Sequence, residues 1–206
     1  QHIVDRVGLD PRHRETARSE LAKDFFRAGL FDRAEEIFND MADRGREPAV
    51  ALSHLVRIHE IQHDWKQAAA AHQRLVQAGG SGQPGAIAHY YCEMAEEALL
   101  EKDSDAARAQ LANAEREQPG FSRCAILRGD LALRDGQPRE AIELYRGVVE
   151  RDFHLLAVVL PKLAEAARST GDDQAFDVAI DAIIHSGAGS QSEVAYAAIV
   201  SGYYDD

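Results

Sequence analysis

The sequence has no CxxC pair, no long apolar run and no excess of positive charge, and each absence removes a class of function. Its two cysteines, Cys92 and Cys124, are far apart in the chain. Neither a zinc ribbon nor a thioredoxin-type redox motif can be read from them, and so little cysteine points to a reducing compartment. No apolar stretch reaches the roughly 18–20 residues that span a bilayer. Lys and Arg total 23 against 35 Asp and Glu, a formal net charge of −12. Phosphate contacts need clustered cations, so a general binder of nucleic acid or anionic membrane is excluded, although a local basic patch is not. There is no P-loop, GxGxxG, GxSxG or HExxH. "GGSGQPGA" at 79–86 is Gly-rich but lacks the Lys-Ser/Thr ending of a phosphate loop and a preceding strand, and reads as a stretched linker between units.

What is present fits a folded chain. Of 206 residues, 45% are hydrophobic and 28% charged, a balance typical of globular proteins and not of disordered ones. That length allows one or two domains or one extended array. The chain begins without Met, and "QHIVDRVGLDPRH" reads as the end of a helix followed by a loop, so a piece of a longer protein is expected.

Self-comparison at about 34 residues reveals the organisation. Four slots recur: Ala22, Gly29, Ala34 and Phe38; Val56, His63, Ala68 and His72; Ala95, Lys102, Ala107 and Leu111; Gly129, Gly136, Ala141 and Tyr145; Ala164, Gly171, Phe176 and Ile180. The 79–86 insertion lengthens one interval to about 39. The first slot is Ala or Gly in four of the five units and the third is Ala in four, so two helices can approach closely. The second ends a helix, where Gly takes the left-handed conformation. The fourth is mostly large and apolar and fills the space between units. Pro138 suits the first turn of the following helix, and Asp64 and Ser104 are placed to cap it in their units. This is the tetratricopeptide pattern. It predicts an all-α, right-handed superhelical solenoid of antiparallel helix pairs forming a single array over 1–206. About five full repeats fall near 15–46, 49–79, 87–119, 122–153 and 157–187, with partial repeats at both ends. "QSEVAYAAIVSGYYDD" reads as the first helix of a further unit, and Tyr203 and Tyr204 offer apolar surface at that end, so a homodimer through the exposed repeat ends is one expectation.

Catalytic candidates are weak. His54, His59 and His63 have helical spacing that could reach a metal, but His63 holds the helix-ending slot and His59 a slot that is Phe25 in the first unit. His72 sits where packing demands a large residue. The carboxylate pairs Glu35–Glu36, Glu96–Glu97 and Asp172–Asp173 are adjacent, and adjacent helical residues diverge by about 100°, so they read as solvated faces. Cys92 lies on a first helix, where a buried thiol is the expectation. No catalytic, cofactor-binding or metal-binding residue is assigned.

The remaining candidate is the face of the first helices. The position after the small slot, and those four and five after it, should face one groove. This gives Lys23, Phe26 and Arg27; Arg57, Glu60 and Ile61; Glu96, Leu99 and Leu100; Asp130, Leu133 and Arg134; Glu165, Arg168 and Ser169. Mixed charge with apolar anchors suits a protein segment. The opposite face and the 79–86 loop are alternatives.

Beyond the repeat, "AGLFDRAEEIFNDM" (28–41), "DWKQAAAAHQRLVQAG" (64–79), "IAHYYCEMAEEAL" (87–99) and "GDLALRDGQPREAIELYRGVVERD" (129–152) resemble the lipopolysaccharide assembly protein B family of Gram-negative bacteria. Repeat packing does not require the run His89-Tyr90-Tyr91-Cys92-Glu93, and the family carries a similar one. The resemblance implies a parent anchored in the inner membrane by an N-terminal helix, with a cytoplasmic repeat array and a C-terminal rubredoxin-like metal module held by two CxxC pairs. Neither end is present here, so Cys92 and Cys124 are not carried over as ligands, no cofactor is expected in this fragment, and it should be soluble without inserting into membrane. The implied role is that of a non-catalytic adaptor. Its partners would be the protease FtsH and the deacetylase of the lipid A pathway, whose degradation it promotes. A generic scaffold for another multiprotein complex is the alternative.

Overall fold

A computed structural model describes residues 10–172, 174–187 and 196. The opening segment, Asp173 and nearly all of the expected terminal helix, with Tyr203 and Tyr204, lie outside the described residues. Among the described residues there are ten α-helices: α1 (Pro11–Arg27), α2 (Phe31–Asp43), α3 (Pro48–Ile61), α4 (Trp65–Gln77), α5 (Ala86–Leu100), α6 (Ser104–Glu117), α7 (Ser122–Arg134), α8 (Pro138–Arg151), α9 (Leu156–Thr170) and α10 (Ala175–His185), and α1 with α2, α3 with α4, α7 with α8 and α9 with α10 pack as hairpins. A single turn of 3-10 helix at Phe153–Leu155 precedes α9. No strand occurs among the described residues. The fold is the all-α tetratricopeptide fold.

The hairpin turns follow from the second slot. Gly29, His63, Lys102, Gly136 and Gly171 all have positive φ, between 58° and 74°. In the first four, the slot's N–H and the next one bond back to the preceding turn, as Gly29 does to Phe26 O and Leu30 to Phe25 O. This is the Schellman closure, and His63 and Lys102 make it without the freedom of glycine. Pro138 opens α8 as expected. Asp64 caps α4 through the Gln67 N–H. The cap of α6, however, is Asp103, which accepts from the Ala106 N–H. Ser104 is instead the first helical residue, and its Oγ donates to Asp135 at 3.1 Å.

The chain divides into two compact units, 1–91 and 92–206. In the first, α1 packs on α2, α2 on α3 and α3 on α4, around Phe38, Leu52, Leu55, Ile58, Leu75 and Tyr90. In the second, α7 packs on α6 and α8, and α8 on α9 and α10, around Tyr145, Val148, Val149, Leu160, Leu163 and Ile183. The small slots are closed contacts. Ala22, Ala34, Ala68, Ala95, Ala107 and Ala141 are fully buried, and a Cβ on Gly129 would run into the Tyr145 ring. The 79–86 segment is not a slack linker. Gly80 lies against Leu75, and a Cβ on Gly82 would come within 2.7 Å of His72 Nε2, so the loop covers the buried His72.

Candidate protein-binding faces

In the first unit, the predicted residues of α1 and α3 gather around one aromatic cluster. Phe26 meets Phe31 at 5.9 Å and the edge of His54 at 5.4 Å, and His54 stacks on Phe38 at 4.5 Å. The Arg57 guanidinium lies 5.9 Å from the Phe26 ring centre. Lys23 pairs with Glu20 at 2.7 Å and Arg27 with Asp24 at 2.9 Å. Burial holds His54 below its ordinary range, and the charges of Lys23, Arg57 and Arg27 depress it further. The result is an aromatic face of mixed charge, with an imidazole whose protonation is disfavoured. Glu60 serves elsewhere: it accepts the Tyr90 hydroxyl at 2.5 Å. Tyr90 is buried and stacks on Trp65, and its phenol is pushed up by burial first and then by Glu60.

In the second unit, Glu96 and Asp130 border a cavity of about 660 Å³ with a floor that includes Phe121, Ile126, Leu155 and Val158. Both carboxylates are engaged. Arg123 bridges Glu96 and Glu93 at 2.6 Å each. Lys162 reaches both Asp130 oxygens at 2.7 and 2.8 Å, and the Tyr145 hydroxyl donates to Asp130 at 2.7 Å. Sequence reasoning missed Arg123 and Lys162. Counting only forward from the small slot omitted the turns behind it, although Arg123, Ile126 and Asp130 follow helical face spacing.

Leu99 requires a correction. It is buried and offers no side chain to a partner, while its carbonyl accepts from Arg134. Arg134 is thereby spent on tying α7 to α5. Leu100 is 78% exposed, and Glu165 and Arg168 are exposed on α9. The two units each contribute a charged face; the residues do not form one demonstrated site.

The histidines go three ways. His54 packs among rings, His63 sits in its left-handed turn 5.0 Å from Trp65, and the buried His59 lines a small cavity between α2, α3 and α4. Among the described residues, no group of three or more His, Cys, Asp or Glu side chains could hold a metal ion. No described helix is long and apolar enough to cross a membrane. Cys92 and Cys124 are both fully buried. Cys124 Sγ donates to Leu111 O at 3.4 Å, and the neighbouring Cys124 together with burial pushes the Cys92 thiol far above its ordinary value. A thiol held protonated is a poor nucleophile.

No family model matches the chain. Among curated proteins, it is 27% identical over 200 residues to lipopolysaccharide assembly protein B of Escherichia coli K12, covering 97% of this chain and 51% of that protein. It is 30% identical over 140 residues to the protein of the same name from Haemophilus influenzae, covering 66% of this chain and 34% of that one. The chain therefore spans about half the length of the curated relatives it matches. Among solved structures, MamA superposes with a TM-score of 0.52 at 13% identity, over 84% of this chain and 91% of that one, a likeness of fold.

Proposed function

As a homologue of the lipopolysaccharide assembly protein B proteins, this chain is, we propose, the protein-binding array of an adaptor in lipopolysaccharide biosynthesis. It acts as a scaffold and not as an enzyme. The observation that carries the reading is identity extended over 97% of the chain, far beyond what a shared repeat period alone requires. In finer detail, the parent protein, anchored in the inner membrane and facing the cytoplasm, presents the lipid A pathway deacetylase to FtsH for degradation. Two proteins held on one array meet at raised effective concentration, so modest affinity for each suffices.

The aromatic face of mixed charge around Phe26 and the carboxylate-rimmed cavity of the second unit are the surfaces that support this role. The test is calorimetry of the chain with the deacetylase at two salt concentrations. Saturable binding that weakens with salt is expected. Arg57→Glu combined with Arg168→Glu should weaken it while helicity is retained. Arg134 is left intact in that variant because its bond to the Leu99 carbonyl is structural. Absence of binding both by this chain and by the longer parent would overturn the deacetylase as client.

A further inference from the structure

The cavity between α2, α3 and α4 lies away from the first-helix faces and has its own chemistry. We propose that it is a docking pocket for an arginine side chain of a partner protein. At about 230 Å³ it holds a side-chain head group and little more.

The walls are polar and rich in acceptors. Glu35 and Asn39 come from α2, His59 from α3, Gln62 from the turn after it, and Asp64 and Gln67 from the start of α4. Glu35 has no ion pair among the described residues. The one cation on the wall, Arg74, is already met by Asp43 at 2.6 Å. The lining is thus left with uncompensated negative charge in a chain that is itself at −12. His59 supplies an independent observation. Its side chain is more than nine-tenths buried, it lines the cavity, and it has no hydrogen-bond partner among the described residues. Its ring nitrogens are not sealed from solvent, and a donor entering the cavity would bond one of them in place of water.

The same repeat positions in the second unit line a larger cavity, of about 480 Å³, with a different charge arrangement. There, between α6, α7 and α8, Arg108 stands where Glu35 does, Ala132 where His59 does and Asp135 where Gln62 does. Arg108 pairs with Asp135 at 2.8 Å, so that slot carries its own guanidinium bridging its walls. The first unit has a carboxylate, Glu35, at that position and the His59 imidazole in the floor. The occupant that restores the arrangement is a guanidinium, whose planar fork matches carboxylate and amide oxygens better than an ammonium does.

The inference rests on the scaffold reading only in taking the occupant from a protein, and it does not depend on which client binds. The probe is acetyl-arginine methylamide, titrated into the 206-residue chain at pH 7.5 with NMR detection of the His59 ring and the Asn39, Gln62 and Gln67 side-chain amides. Saturable shifts confined to these groups are expected. Affinity should fall at least about tenfold in Glu35→Gln, equivalent to about 1.4 kcal/mol, and in the charge-neutral citrulline counterpart. Free arginine, whose α-ammonium and α-carboxylate act on Glu35 and Asp64 with opposite sign, should bind no more tightly than the capped form. Shifts of equal affinity with citrulline or in Glu35→Gln, or no saturation, would overturn the pocket. Tighter binding of free arginine would overturn a protein as its source. Glu35 is partly buried, and circular dichroism of the variant checks that the fold is kept.

Discussion

Lys102 and His63 hold left-handed backbone that a side chain disfavours by about 1–2 kcal/mol. Both complete the same two hydrogen bonds as the glycines in the equivalent turns. Lys102 is exposed, so its strain can be removed without disturbing packing. Glycine costs about 0.5–1 kcal/mol in chain entropy, which leaves Lys102→Gly stabilised by about 0.5–1 kcal/mol in urea denaturation; a loss of stability would mean the side chain contributes more than its backbone costs. Gly129 is the opposite case. It lies under the fully buried Tyr145 ring, whose hydroxyl is fixed on Asp130. A methyl group there should force the ring aside at a typical overpacking cost of about 1–3 kcal/mol, outweighing the helix propensity that alanine adds. A Gly129→Ala protein as stable as the parent would show that the ring can move. The slot pattern marked both positions in the sequence. It could not show that two non-glycine residues adopt the glycine conformation, because that depends on the whole hairpin overruling local preference.

At the level of elements, capping tests how a helix start is read. Asp103→Ala should cost about 1 kcal/mol, since it orphans the Ala106 N–H, whereas Ser104→Ala should change stability by less than about 0.5 kcal/mol, as its contact with Asp135 is exposed. The one-residue error in the sequence reading is characteristic: Asp and Ser are adjacent and both suit the cap, and only the backbone decides. The α4–loop pair carries a pH dependence. His72 is buried beneath Gly82, its Nδ1 has no partner, and burial lowers its pKa, with Glu60 partly opposing. The folded state therefore binds its proton less readily than the unfolded state, whose value is about 6.5. The stabilising effect of neutral His72 is fully present above that value and is lost as pH falls through it. Between pH 7.5 and 5.5, the parent should lose more stability than His72→Phe, which places in the slot the aromatic ring that Phe38 provides in the first hairpin. Equal losses would assign the pH dependence to other groups.

Across the whole molecule, the repeat slots were legible because they are local: small, turn and large positions recur at fixed offsets and need no knowledge of neighbouring helices. The binding faces were only partly legible. Arg123 and Lys162 meet carboxylates about 30 residues away in sequence, and Leu99 turns inward, outcomes set by how consecutive hairpins pack. The same distinction bears on how the molecule responds to salt. Its described ion pairs are mainly on the surface, and such pairs contribute about 0–1 kcal/mol each, less as salt rises. Against them stands the mutual repulsion of a chain at −12, which opposes compaction and is also screened, over a Debye length of about 10 Å at 0.1 M. Several pairs, such as Lys23–Glu20 and Arg146–Glu143, are i,i+3 neighbours on one helix. They tie no separate elements together, and their loss costs the tertiary fold little. Repulsion acts over the whole chain, so it outweighs them. The melting temperature should therefore rise by a few degrees between about 20 and 300 mM sodium chloride. A fall over that range would instead place the inter-helix bridges, Arg123 to Glu93 and Lys162 to Asp130, among the principal supports of the fold.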